Sequence, residues 1–305
     1  MIFPKKLKKG DTVAIVATSS PTSHEKALRA KEFIENYGYK AILCENTYER
    51  HNEYMAGNVE TRAQTLNKMF RDSGVDGIFC IRGGYNGCSI VEKLDLATIR
   101  KNPKVFVGYS DVTNLHVFLN QRAELVTFHG PMVASNMIDN FDEFTKEQFE
   151  RALDMDDRLV LENPKDVPFK VLCEGEAKGI IAGGNLCVLA AAIGTGNQID
   201  TRGKIVFLEE VHEIVPRTHR LLCQFEQSGL FKEAAGILLG SFTDWETPDY
   251  PNYKMEDLFM DFFGSFKIPV MYNIQNGHIS PMSTIPLGSM CKMNTKDKTI
   301  IFERP

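Results

Sequence analysis

Residues 104–120, KVFVGYSDVTNLHVFLN, decide how this chain is read. Val105, Phe106 and Val107 form an apolar run before Gly108, the pattern of a short buried strand. Asp111 and Thr113 are helix-starting residue types, and Val112, Leu115, His116 and Leu119 recur at helical spacing. Ser110 therefore falls on a sharp strand-to-helix turn, Gly108-Tyr109-Ser110-Asp111. Such a turn lifts a hydroxyl out of a sheet. It also sets the hydroxyl beside a helix N-terminus, where free N–H groups stabilise developing negative charge. The turn is half of a Gly-x-Ser-x-Gly elbow, with Val112 standing where the second glycine would be. On local pattern alone, a serine here is more often a helix cap than a nucleophile.

Working outward, strands alternate with helices. Thr12–Ala17 (TVAIVA) reads as a strand, Glu25–Tyr37 as a helix stopped by Gly38, and Lys40–Cys44 as a second strand. Asn58 starts a helix over Val59–Arg71, and Gly77–Ile81 is a third strand running into Arg82-Gly83-Gly84. The alternation implies parallel βαβ units. Ligands in such sheets bind beyond the carboxyl ends of the strands, where both Gly83-Gly84 and Ser110 fall. Residues 139–176 are polar, contain Pro164 and Pro168, and offer one short helix, Thr145–Leu153. The expected organisation is an N-terminal domain over 1–150, a connector over 151–175 and a second domain over 176–305. In the second, Ala177–Ala182, Lys204–Leu208 and Ala235–Leu239 read as strands, and Arg217–Ser228 and Asp257–Phe263 as helices. Ser289–Phe302 alternates enough for two short strands. The fold class expected is α/β: an open, mostly parallel sheet flanked by helices, followed by an α/β domain with a mixed or barrel-like sheet.

The chain of 305 residues is long enough for two domains and a large core. A formal charge of −5 and the lack of a long basic run argue against a nucleic-acid partner. No apolar run reaches membrane-spanning length, and the start, MIFPKKLKKGD, lacks the apolar core of a signal peptide. A cytoplasmic protein with no membrane partner is expected. The seven cysteines are scattered without a CxxC pair, consistent with reduced thiols. There is no HExxH and no Cys/His cluster, so no metal and no cofactor is expected.

A serine hydroxyl needs a base, and the base needs a third group to hold it. Seven histidines are candidates. His129, after a short strand, could line the cleft; His278 lies in the irregular loop NGHISPM, residues 276–282. Glu209 ends the apolar strand KIVFL, and a part-buried carboxylate there requires a partner. Glu210 alternates to the opposite face, so one of the two is expected to serve the site. The Gly83-Gly84 pair suits a backbone that approaches a ligand closely. The N–H of Gly84 and that of Asp111 would form an oxyanion hole.

These parts together resemble peptidase family S66, the serine peptidases that include L,D-carboxypeptidases of murein recycling and microcin C immunity peptidases. The resemblance rests on IRGGYNG (81–87), VGYSDVTNL (107–115), HGPM (129–132), GGNL (183–186), IVFLEEVHE (205–213) and NGHISPMSTIPLG (276–288), in that order. It implies Ser110 as nucleophile, His278 as general base and Glu209 as orienting acid, with serine and acid–base pair on different domains. It also implies a homodimer that needs no metal. The chain departs from the family pattern at Glu209-Glu210, where many members have Glu-Asp. It departs again at Pro216-Arg217-Thr218-His219-Arg220, which replaces a Tyr-Arg-x-Asp-Arg run.

Three readings follow. An L,D-carboxypeptidase would release terminal D-Ala from a murein tetrapeptide. A microcin-type immunity peptidase would cut a peptidyl- or aminoacyl-nucleotide conjugate and should offer an aromatic for the base, for which Trp245 is the single tryptophan. A non-catalytic ligand-binding module would have lost a triad member. A free terminal carboxylate calls for a cation, and Arg82, Arg217 and Arg220 are the candidates. His278 should lie roughly 2.6–3.2 Å from both Ser110 and Glu209; His129 beside Ser110 would overturn that assignment.

Overall fold

The computed structural model describes residues 1–304. Strands β1 (Thr12–Val16), β2 (Lys40–Leu43), β3 (Gly77–Cys80), β4 (Val105–Gly108) and β5 (Thr127–His129) are parallel in the order β2-β1-β3-β4-β5. β3 and β4 are buried at every position, as their unbroken apolar runs require of strands covered on both faces. The order reverses between β1 and β3, which makes the carboxyl ends of β1, β3 and β4 the ligand crevice of this sheet. The helix Val59–Arg71 begins where the sequence places it, with Asn58 Oδ1 accepting from the Thr61 N–H at 2.8 Å.

The second sheet is mixed and open. It comprises β6 (Arg158–Val160), β7 (Lys170–Cys173), β8 (Glu176–Asn185), β9 (Ile205–Val211), β10 (Gly236–Thr243), β11 (Val270–Tyr272), β13 (Met290–Asn294) and β14 (Thr299–Glu303). The intervening β12 (Ile285–Leu287) leaves this sheet and pairs antiparallel with β5 of the first. Residues 151–175, read from sequence as a connector, supply β6 and β7, the two edges of the second sheet. Short pieces of three and four residues carry too little periodicity to be seen in the sequence. β9 also runs further than the KIVFL pattern suggested, carrying both Glu209 and Glu210 within the strand.

One apolar core passes through both sheets. Val13, Ile15, Phe79 and Phe128 of the first share a cluster with Ile205, Phe207 and Leu238 of the second. Full burial of each such side chain contributes about 1.5–3 kcal/mol. The crossing of β12 and this shared core hold the carboxyl end of β4 against that of β9.

Candidate active site

Ser110 sits on the expected turn. Its φ is +65°, a left-handed conformation that L-residues rarely adopt. A single tight turn over Ser110–Val112 then leads into the helix Thr113–Gln121. Facing it is the loop after β3. A Cβ built on Gly83 would lie 3.0 Å from Ser110 Oγ and 3.5 Å from the Asp111 nitrogen. Gly84, at φ +136°, could not carry a side chain, since its Cβ would fall 2.1 Å from Ser20 Oγ. The Gly84 N–H has no backbone acceptor within the described residues.

Arg62 holds this corner from behind. It is fully buried and donates to Thr18 O at 2.8 Å, Asn86 O at 2.9 Å and Ser89 Oγ at 3.0 Å, so it ties the loops after β1 and β3 together. Asp111 Oδ2 accepts from the Gly87 N–H at 2.7 Å and fixes the other end of the same loop. Burial pushes the Asp111 carboxyl above the usual range, against Ser19, the Gly87 N–H and the charge of Arg62. Sequence reading missed Arg62, because an arginine on an amphipathic helix reads as a surface residue.

From the second sheet, Glu209 is fully buried and its Oε2 accepts from His278 Nδ1 at 2.7 Å. That pairing leaves Nε2 as the nitrogen available to take a proton. Gly277 makes the approach possible: at φ +119°, its Cβ would sit 2.6 Å from Glu209 Oε2. The Tyr109 ring packs edge-on against His278, centroids 4.8 Å apart. Burial disfavours the His278 imidazolium, but Glu209, as charge and hydrogen-bond acceptor, outweighs it with help from Glu210 and Asp244. The pKa is raised above the ordinary imidazole value.

Glu210 has a different task. It accepts from Asn185 Nδ2 at 3.0 Å, the Cys187 N–H at 2.7 Å and the Val211 N–H at 2.9 Å, anchoring the start of the helix Leu186–Ala191. Burial and the neighbouring Glu209 push it up to about 7, against those three donors. Strand alternation thus separates the two glutamates: one holds His278, the other a helix end.

Ser110, Asp111, Gly84, His278, Arg82 and Glu210 all line one cavity of about 790 Å³, a size typical of small-molecule sites. Ser110 and His278 share its wall without a direct hydrogen bond, so the expected reach to both partners is met for Glu209 and not for the serine. Such contacts are often long in unliganded enzymes. His129, the other histidine considered for the base, is fully buried and is not among the residues that line the cavity. Of the three arginines, Arg82 is exposed, lines the cavity and makes no ion pair among the described residues. Arg217 pairs with Glu213 at 2.7 Å, and both it and Arg220 lie outside the cavity lining. Trp245 is outside it as well; Tyr85, 70% exposed, is the aromatic ring at its rim besides the histidines. Among the described residues no helix is long and apolar enough to cross a membrane, and no cluster of three His, Cys, Asp or Glu could hold a metal.

Comparison with known proteins agrees with this architecture. Residues 13–130 match the LD-carboxypeptidase N-terminal domain of peptidase S66, and residues 178–293 match its C-terminal domain. A probable murein peptide carboxypeptidase of Bacillus subtilis is 35% identical over 302 residues, covering 98% of this chain and 94% of that protein. The crystal structure of muramoyltetrapeptide carboxypeptidase from Oxalobacter formigenes superposes with TM-score 0.83 at 27% identity, covering 96% of this chain and 99% of that one. That of an MccF-like protein from Bacillus anthracis superposes with TM-score 0.88 at 28% identity, covering 100% and 99%. With both domain matches spanning most of its length, the chain belongs to the S66 peptidase family.

Proposed function

We propose that the chain is a serine-type L,D-carboxypeptidase that releases terminal D-Ala from murein tetrapeptides. The observation that carries this is the His278–Glu209 pair, at 2.7 Å, sharing a cavity with Ser110 on its strained turn. Ser110 Oγ attacks the carbonyl of the bond before D-Ala while His278 Nε2 takes its proton. Glu209 holds the imidazolium that forms. The Gly84 and Asp111 N–H groups receive the charge that develops on the carbonyl oxygen. His278 then protonates the leaving amine, and water, activated by the same base, releases the acyl group from Ser110. Arg82 is the cation for the terminal carboxylate, being unpaired and on the cavity wall. The relatives named murein peptide and muramoyltetrapeptide carboxypeptidase support the substrate class.

The test is incubation with a murein tetrapeptide and detection of free D-Ala by mass spectrometry. Release by the wild type and none by Ser110→Ala is the expected result; no release by the wild type sinks the reading. A microcin-type activity on an aminoacyl-nucleotide has one observation in its favour, the exposed Tyr85 ring at the cavity rim, and a nucleotide conjugate in the same assay separates the two. The homodimer implied by the family is tested by sedimentation.

A further inference from the structure

His129 ends β5 with its imidazole fully buried, and neither ring nitrogen has a protein partner within hydrogen-bond geometry; the Asn276 amide, whose Nδ2 donates to His129 O at 3.2 Å, also faces the ring. Tyr109, His116 and Phe207 box the ring, with centroids 5.9, 5.9 and 5.3 Å away. His116 is no partner for it, because both its nitrogens are engaged, with Thr127 Oγ1 and Gly108 O, each at 2.8 Å. His129 Nε2 instead stands 3.9 Å from Glu209 Oε1. That oxygen is likewise without a protein partner, while Oε2 holds His278. A buried carboxylate oxygen and a buried ring N–H each carry a penalty when unpaired. At 3.9 Å they are not hydrogen-bonded, but they belong to different sheets, and an approach of about 1 Å would join them.

We propose that His129 is a positioning residue: as the neutral Nε2–H tautomer, it donates to Glu209 Oε1 in the reacting complex and keeps that carboxylate aligned on His278. The inference rests on the triad reading above and concerns what holds its acid. Burial, with His116 and His278 nearby, outweighs the raising effect of the Asn276 side chain and keeps the His129 ring well below the usual imidazole range, so it stays a neutral donor. The other groups facing the pair are Glu210 on the same strand, Tyr109 from the turn after β4 and the Asn276 amide, while Asp244 acts on His278 beyond them. Of these, Glu210 titrates near neutrality, and it is present in every variant below.

The experiment compares His129→Leu and His129→Gln in the full chain by kcat, KM, pH profile and Tm, on the murein tetrapeptide. The leucine variant should lose about 10- to 100-fold in kcat with KM little changed. Its acid limb should move to lower pH, because a Glu209 carboxylate no longer aligned on Nδ1 raises His278 less. Glutamine, which offers an N–H near the Nε2 position, should recover most of both. Equal losses in the two variants, or a loss confined to KM, would overturn the proposal. Ring-nitrogen NMR tests it without turnover, and so covers a leucine variant that fails to fold. In Ser110→Ala protein with the tetrapeptide bound, the His129 ring should be an Nε2–H tautomer whose resonance shifts when Glu209→Gln is added. An Nδ1–H tautomer, or no shift, overturns it. If Ser110→Ala retains activity, the triad reading fails, while the tautomer still reports on His129 alone.

Discussion

The two halves of the site are built by different means. The Ser110 turn is a local device: four consecutive residues, a left-handed φ of +65° and the close approach of Gly83 put a hydroxyl at a strand end. The His278–Glu209 pair is a long-range device. It needs a loop, a glycine at residue 277 and a strand 69 residues away to converge within 2.7 Å. The first half is set by adjacent backbone and held from behind by Arg62 and Asp111. The second half depends on its neighbours, so changes around it should reach the chemistry through geometry and charge.

The largest effect expected is on the first half. Ser110→Ala should reduce kcat by about 10³-fold or more while Tm stays within experimental scatter of the wild type. Activity lost only in step with Tm would make the serine structural.

Glu209→Gln removes the acid of the second half and should cost about 10²- to 10³-fold. It carries a pH signature as well. On the proposed mechanism His278 must be neutral to accept the proton, and its pKa is raised, so wild-type activity should fall as pH drops through a value above about 6.5. Without the Glu209 charge that limb should move to lower pH. An unmoved limb would separate His278 from Glu209 in function.

Arg82→Ala should lower kcat/KM by about 10- to 100-fold on a peptide with a free terminal carboxylate and much less on its C-terminal amide. Equal losses on both would remove the clamp and favour a substrate without that carboxylate.

The contrast between the halves also governs what the sequence made legible. The strands around Ser110 read cleanly because parallel strands buried on both faces are unbroken apolar runs, and β4 has the expected bounds. The turn was visible because its residue types are set by adjacent backbone. The choice between Glu209 and Glu210 was visible only as an alternation; which side met His278 depended on a loop far along the chain. Arg217 and Arg220 looked close to the site in sequence, but the helix Val215–Gln227 carries them outside the cavity lining. Arg62 gave no signal, since its acceptors are carbonyls and a hydroxyl from two segments far from it in sequence. The edge strands in 151–175 were too short to show a period.

Two smaller effects sharpen the comparison through stability. Gly277→Ala forces a methyl against Glu209 and should destabilise by about 1–3 kcal/mol, with activity falling too. Ser110→Gly should do the opposite to Tm. Relief of the left-handed strain is worth about 1 kcal/mol, or roughly 2 °C, in a protein that no longer turns over. A lower Tm would mean that the serine side chain supports the turn rather than straining it.

The most direct test of the central claim, that Ser110 is activated by a base from the other sheet, is covalent labelling. The intact protein is treated with a serine-directed fluorophosphonate and digested, and the adduct is located by mass spectrometry. One adduct on Ser110, absent in Ser110→Ala and greatly slowed in His278→Ala, is the predicted result. Labelling that persists in Ser110→Ala, or is as fast in His278→Ala as in the wild type, would contradict it.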